Sequence, residues 1–179
     1  AIVDRFKRLF GRRPTIDTEN ADYKFNIHIY DNKVTLLMNS SGESLHKRGY
    51  RQAVGIAPIN EVLAAGLIQL SGWKADSHFF DPMCGSGTIL IEGAMMAANM
   101  APGINRRFSA ERFGVINRNV WEEERERARS LVRPCDDFMA YGSDIDAKAI
   151  EIAKVNAERA GVSQKIQFKV ADVSKFSPE

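Results

Sequence analysis

The sequence predicts an α/β fold with a parallel sheet covered by helices. Apolar, strand-like segments at 77–80, 138–143 and 165–170 alternate with helix-like segments at 88–99 and 147–160. This alternation is typical of parallel sheets, because each crossover between parallel strands needs a long connection, usually a helix. Hydrophobic residues make up 44% of the chain, which is enough for a packed core and argues against global disorder.

The N-terminal part predicts a second, smaller α/β domain. Apolar residues recur at helical spacing over 2–10, and Gly11 ends that helix. Alternating residues predict strands at 24–30 and 33–39, joined by a tight turn at Asp31-Asn32. A helix and a hairpin are too little for a stable domain, so we expect the chain to begin inside one. The apolar residues expected on the buried face of the first strand are Phe25, Ile27 and Ile29.

Residues typical of helix ends predict the remaining elements. Pro58 is expected to be the first residue of a helix that runs to about residue 70. A charged helix is expected at 121–132, after an irregular insertion at 101–119. Asp146 is expected to cap the N-terminus of the following helix, and Gly161 its C-terminus.

Charge and cysteine content limit the function classes. The net charge of +2 is too small to demonstrate a polyanionic partner, although basic residues cluster. Two cysteines without zinc-type spacing predict no metal site and fit the reducing cytoplasm. The most apolar run, 89–100, is too short to cross a bilayer, so we expect no membrane association. The basic clusters are Arg5, Lys7, Arg8, Arg12 and Arg13; Lys47, Arg48 and Arg51; and Arg106, Arg107 and Arg112.

The strongest functional signal is an octapeptide between a predicted strand and a predicted helix. Its two glycines allow a tight turn and a close approach of the backbone to a ligand, and the start of the helix offers free N–H groups. The end of a parallel strand is also where open α/β sheets bind ligands. We predict that all eight residues contribute to a cofactor site: Asp81, Pro82, Met83, Cys84, Gly85, Ser86, Gly87 and Thr88.

The octapeptide favours a nucleoside that carries an amino acid over other nucleotides. A phosphate-binding P-loop needs a lysine after its last glycine, but Thr88 follows Gly87. The dinucleotide fingerprint needs a third glycine where this chain has Leu90. Asp81 suits a cationic amino group better than a pyrophosphate. Cys84 could be a nucleophile, but its place inside the loop favours a packing role.

Acidic residues also follow the next two predicted strands. We predict that Asp144 accepts both ribose hydroxyls and that Ile145 covers one face of an adenine. Asp172 is predicted to accept from the adenine amino group, with the backbone of Val173 beside it. Asp144 lies 59 residues after Gly85, against about 20 in the usual arrangement, so these assignments require the intervening region to contain an insertion.

These motifs resemble the THUMP-domain RNA methyltransferases, most closely the bacterial enzymes that methylate guanine N2 of large-subunit rRNA. The resemblance rests on the octapeptide, on Ala101-Pro102-Gly103, on Leu45-His46-Lys47-Arg48-Gly49-Tyr50-Arg51 and on Ala57-Pro58-Ile59-Asn60-Glu61. It implies part of a THUMP RNA-binding domain at 1–42, a linker at 43–56 and part of a Rossmann-like methyltransferase domain at 57–179.

The resemblance also implies the cofactor and the partner. The cofactor would be S-adenosyl-L-methionine, with Pro58 near its methionine end. The partner would be RNA, specifically 23S rRNA. Residues that could contact it are Lys47, Arg48, Tyr50, Arg51, Arg106 and Arg107, although Tyr50 and Arg51 could instead fix the link between the domains.

One departure from the family concerns catalysis. The family's Asn/Asp-Pro-Pro-aromatic loop is absent, since the sequence has no Pro-Pro pair. We expect that loop beyond Glu179, so we predict no catalytic residues here and no turnover by this fragment. Two other hypotheses stay open: a non-catalytic RNA-binding module, and a nicotinamide-dependent oxidoreductase.

Overall fold

The computed structural model describes residues 2–13, 17, 19–51 and 58–176. They form two compact units. The first comprises the chain up to Gly42 together with Phe108–Ile116, and the second comprises Glu43–Arg107 and the chain from Asn117 onward. Among the described residues, no helix has both the length and the apolar character needed to cross a membrane.

The first unit contains one helix and one hairpin. Helix α1 is Ile2–Phe10, and strands β1 (Phe25–Tyr30) and β2 (Lys33–Met38) pair antiparallel. The turn at Asp31 and Asn32 places both residues at positive φ, 47° and 56°, as a two-residue hairpin turn requires.

The prediction that one face of β1 is buried is wrong for this unit. Every residue of β1 and β2 is exposed, including Phe25, Ile27 and Ile29. The physical reason is that a two-stranded hairpin cannot cover its own apolar face, and no described residue of the unit buries it.

The segment Phe108–Ile116 packs against the end of this unit. The ring of Phe113 is buried and stacks on Tyr23, with centroids 4.8 Å apart. The N–H of Ala110 donates to the carbonyl of Ser40, and Arg112 donates to the carbonyl of Ala21. Part of the insertion therefore belongs to the first unit, which the sequence did not predict.

The second unit is a three-stranded parallel sheet with helices. Its elements are α2 (Glu61–Leu70), β3 (Phe79–Asp81), α3 (Thr88–Ala97), α4 (Arg118–Ser130), β4 (Ala140–Asp144), α5 (Ala147–Ala160) and β5 (Ile166–Val170). The strand order is β3-β4-β5, and both pairings are parallel. The predicted parallel α/β fold is confirmed. The core lies between the sheet, α3 and α5, and includes Leu90, Ile91, Phe138 and Ile150.

Capping explains where the helices begin and end. Asp146 caps α5 by accepting from the N–H of Lys148, and Gly161 ends that helix at φ 76°, both as predicted. The prediction for Pro58 is wrong: α2 begins at Glu61, because Asn60 accepts from the N–H groups of Val62 and Leu63.

Helix α4 also begins earlier than predicted. Its first residue is Arg118 in place of Trp121, because the side chain of Asn117 accepts from the N–H of Asn119 and caps the helix there.

Candidate functional site

The octapeptide at residues 81–88 forms the loop between β3 and α3, called the glycine loop. Its two glycines are needed for different reasons. Gly85 and Gly87 both have positive φ, 51° and 79°, which other residues rarely adopt. A Cβ on Gly87 would also lie 3.1 Å from the Cβ of Ala153, whereas a Cβ on Gly85 would face open space. The backbone at Gly85 is therefore accessible to a ligand, while Gly87 lets the loop lie close to α5.

Three hydrogen bonds hold this loop on the sheet and on α5. The N–H of Cys84 donates to the carbonyl of Ser143 at 2.9 Å, and the hydroxyl of Ser143 donates to the carbonyl of Pro82 at 3.3 Å. The amide of Asn156, which is fully buried, donates to the carbonyl of Ser86 at 3.1 Å. Neither Ser143 nor Asn156 was predicted from the sequence as a residue of this site. The available signal for Asn156 was a polar residue on an otherwise alanine-rich face of α5.

Asp144 contacts the glycine loop directly. Its Oδ2 accepts from the N–H of Gly85 at 2.9 Å, and its Oδ1 accepts from the N–H of Asp146 at 2.9 Å. The 59-residue separation that conflicted with the usual spacing is therefore bridged by one hydrogen bond. Since a carboxylate can accept about four hydrogen bonds, Asp144 retains capacity for a ligand.

Asp81 lies at the same edge of the sheet. Its Oδ1 accepts from the N–H of Met83 at 3.2 Å. Burial raises the pKa of Asp81, and the nearby charge of Asp144 raises it further. Two carboxylates that influence each other at adjacent strand ends create a negative potential beside the glycine loop, which favours a cationic ligand group.

Cys84 is buried beneath these carboxylates. Burial raises the pKa of its thiol to about 12, with added effects from the charges of Asp81 and Asp144. A thiol with such a pKa stays protonated near neutral pH and is a poor nucleophile, which supports the packing role.

The third strand end is arranged differently. Asp172 accepts from the N–H of Ser174 at 2.9 Å, and this hydrogen bond lowers the pKa of its carboxyl. The side chains of Ile145 and Val173 are exposed after β4 and β5, where a ligand could cover them. The N–H of Ala171 donates to the carbonyl of Asp144 at 3.0 Å, which ties the two strand ends together.

Thr88 is not available to a ligand through its side chain. It is 3% exposed, and its hydroxyl oxygen accepts from Nη2 of Arg51 at 2.9 Å. The same Nη2 donates to the carbonyl of Ile59 at 2.8 Å, and Nε of Arg51 lies 3.4 Å from Oε1 of the buried Glu61. The backbone N–H of Thr88 remains one of the groups that α3 leaves without an intrahelical partner.

A second buried carboxylate, that of Glu92, binds the segment at residues 48–50. Its Oε1 accepts from the hydroxyl of Tyr50 at 3.0 Å, and its Oε2 lies 3.6 Å from Nη2 of Arg48. The sequence analysis did not predict this role, although a glutamate inside an apolar helix was the available signal.

Most of the side chains predicted to contact RNA bind acceptors within the second unit. Arg106 is buried and donates to backbone carbonyls of Glu43, Ser44 and Lys47. Arg48, Tyr50 and Arg51 point into the second unit in the same way, because each satisfies an internal acceptor. Of the six residues, the two with exposed side chains are Lys47 and Arg107. Within the described ranges, no cluster of His, Cys, Asp and Glu suited to a metal ion is present.

Comparison with known proteins agrees with this geometry. Residues 48–179 match the RMKL-like methyltransferase domain family, and residues 1–39 match the THUMP domain. The chain belongs to the RMKL-like methyltransferase family. The resemblance to THUMP-domain RNA methyltransferases is thereby confirmed.

Relatives of this RMKL-like chain are found among curated proteins and solved structures. It is 46% identical, over 99% of its length, to a ribosomal RNA large subunit methyltransferase K/L of Shewanella baltica. It spans 26% of that relative. A solved structure from Listeria monocytogenes, described as a predicted N6-adenine-specific DNA methylase, shares 42% identity at a TM-score of 0.89. The alignment covers 100% of this chain and 47% of the Listeria chain.

Another solved neighbour of the RMKL-like chain contains a ligand. The putative methyltransferase SMU.472, solved in complex with SAH, shares 33% identity at a TM-score of 0.86. The alignment covers 99% of this chain and 47% of that one.

Proposed function

We propose that the full-length protein is an S-adenosylmethionine-dependent rRNA methyltransferase, and that this chain supplies its cofactor site. The observation that carries the proposal is the convergence of Asp81, Asp144 and the accessible backbone of Gly85 at one edge of the parallel sheet. The curated relatives named for large-subunit rRNA and the SAH-bound neighbour support it.

The residues present fit this cofactor. Asp81 would attract the ammonium group of the methionine moiety, and the first N–H groups of α3 would receive its carboxylate. Asp144 would accept from the ribose hydroxyls with the lone pairs that Gly85 and Asp146 leave free. Ile145 and Val173 would cover the adenine, with Asp172 beside its amino group. The remaining predicted contact, Pro58, is exposed just before α2.

The bound cofactor would supply an activated methyl group on a sulfonium for in-line transfer to an exocyclic amine. What this chain contributes is position and electrostatics: a rigid loop, two carboxylates and buried packing around them. Because a base inside a duplex cannot reach such a site, we expect a flipped or single-stranded nucleotide.

The finer assignment concerns the substrate: we infer that the full-length protein methylates guanine N2 of 23S rRNA in the cytoplasm. It rests on the motif resemblance, on the THUMP domain, which favours RNA, and on the relatives named for large-subunit rRNA. We further infer that turnover needs a catalytic loop outside this sequence.

The nicotinamide alternative is disfavoured by packing. Leu90, at the position of the third glycine of a dinucleotide site, is fully buried in the core. A Cβ on Gly142 would lie 2.3 Å from its Cδ1, so the leucine occupies the space beside β4.

Calorimetric titration of the full-length protein with S-adenosylhomocysteine tests the cofactor. We expect binding that Asp144→Ala weakens about 100-fold, because a bidentate carboxylate contact is lost. Asp136→Asn is the matched control, since Asp136 is an exposed aspartate that pairs with Lys165. Preference for NAD, or no cofactor binding by the intact protein, would refute the proposal.

Methylation of rRNA from cells that lack the enzyme tests the substrate. Digestion and mass spectrometry of the nucleosides should show N2-methylguanosine. N6-methyladenosine, or methylation of DNA in place of RNA, would contradict the finer assignment. RNA binding with a steep salt dependence and no cofactor effect would instead favour a non-catalytic module.

A further inference from the structure

Arg51 contacts two parts of the second unit, residues 59–61 around the start of α2 and the start of α3 at Thr88. Its Nη2 donates to Thr88 at the first position of α3 and to the carbonyl of Ile59, which precedes α2. Its Nε faces Glu61 at the first position of α2. The side chain is 21% exposed and that of Glu61 is 4% exposed, so the contacts lie largely out of water.

We infer that Arg51 is a positioning residue for the cofactor, one that sets the start of α3 through the hydroxyl of Thr88. This inference rests on the proposed function. Arg51 contacts the end of the loop through the hydroxyl of Thr88, whose side chain is buried.

The physical basis is the direction of the N–H groups at the start of α3. Gly87 precedes the helix in a left-handed conformation and provides no side-chain cap, so the cap itself does not fix the first turn. The hydroxyl of Thr88 lies 3.3 Å from that of Ser86 within the loop, and the hydrogen bond from Arg51 adds a constraint from outside the loop. A displacement of the first turn would misdirect the N–H groups that the ligand carboxylate needs.

The geometry requires a guanidinium. One nitrogen of Arg51 serves two acceptors while another faces a carboxylate, which a planar fork allows. A lysine ammonium is a single point charge and cannot reproduce this pattern.

The buried carboxylate of Glu92 provides a matched control. It lies one turn further along α3, is also 3% exposed, and holds the neighbouring Tyr50 and Arg48. Among the described residues, the hydrogen-bond and ion-pair partners of Glu92 are Tyr50 and Arg48, which lie outside the glycine loop. Glu92→Gln should therefore affect stability without affecting the cofactor.

The test compares the dissociation constant for S-adenosylhomocysteine and the melting temperature in the full-length protein. Arg51→Lys and Thr88→Val should each weaken binding about tenfold, about 1.4 kcal/mol, and the double variant no more than either alone. Thr88→Ser should retain wild-type affinity, because it keeps the hydroxyl. Glu92→Gln should change the melting temperature and leave the dissociation constant unchanged.

The possible failures are distinguishable. If the wild type does not bind S-adenosylhomocysteine, the proposed function fails and the inference fails with it. If the wild type binds and Thr88→Val binds equally well, the inference alone is overturned. The inference also fails if Glu92→Gln weakens binding as much as Arg51→Lys at a similar loss of melting temperature, since a general destabilisation would then explain both. If Arg51→Lys does not fold, the comparison of Thr88→Val with Thr88→Ser tests the inference.

Discussion

Gly142 lies within β4, next to Cys84 of the glycine loop, and its replacement by alanine tests how tightly that loop is packed. An added Cβ would lie 2.3 Å from Cδ1 of Leu90, 3.1 Å from Cδ1 of Phe168 and 3.2 Å from the sulfur of Cys84. Carbon atoms in proteins pack at about 3.5–4.0 Å, so Leu90 would have to move by more than about 1 Å. Leu90 is fully buried, so this shift would have to be accommodated within the core.

The expected cost is at the upper end of the range for overpacked cores. Extra methyl groups in well-packed interiors cost about 1–3 kcal/mol, and the contact with Leu90 puts Gly142→Ala at about 3 kcal/mol. Because Cys84 belongs to the glycine loop, the same displacement should move the loop and weaken binding of S-adenosylhomocysteine.

Gly66→Ala is the matched control. Gly66 lies within α2, and a Cβ there would meet no atom within 4 Å. Alanine should therefore stabilise this helix by about 0.5–1 kcal/mol. Denaturant unfolding and cofactor titration of both variants would check the prediction. A Gly142→Ala protein as stable as wild type, with unchanged affinity, would refute the packing argument.

Three further predictions follow from buried charges. Affinity for S-adenosylhomocysteine should fall on acidification, because the ionised form of Asp81 attracts the ammonium group of the ligand. Since burial raises the pKa of Asp81, this fall should occur at a pH above the ordinary aspartate pKa of 3.8. Asp81→Asn should remove the dependence in titrations between about pH 4 and 7. Arg106→Ala should cost about 1–3 kcal/mol of unfolding free energy, because the buried guanidinium donates to three backbone carbonyls. Arg107→Ala should leave stability unchanged and weaken RNA binding, and equal stabilities of the two variants would contradict this prediction. Burial raises the pKa of Glu92, so the folded protein binds the carboxyl proton more tightly than the unfolded chain does. The stability of the wild type relative to Glu92→Gln should therefore decline as pH rises through that pKa. A constant difference across urea titrations at several pH values would argue against this prediction.

Local signals predicted most of the elements and the turn of the glycine loop. Asp146 and Gly161 act at the ends of α5 as expected, because capping depends on residues within one turn of the helix. The glycine loop was also predictable, since positive φ and a strand–loop–helix setting are encoded over eight residues. The start of α2 was misplaced because Pro58 and Asn60 both suit a helix N-terminus, and the side-chain hydrogen bonds of Asn60 decided between them.

The direction of the arginines could not be predicted in this way. Arg51 and Arg106 belong to basic clusters in the sequence, yet each has an acceptor far along the chain, 37 and 63 residues away. A cluster of charges looks the same in sequence whether it faces solvent or buried carbonyls. Only the tertiary contacts distinguish the two.

The sequence by itself determined the chemistry available at the strand ends: two glycines with positive φ, a carboxylate before them and further carboxylates after the next strands. The tertiary structure decided which of these groups meet. It placed Asp144 against Gly85, and it placed Phe113 of the insertion on Tyr23. The physical reason is that caps and turns depend on neighbouring residues, whereas contacts between distant segments depend on how the whole chain packs.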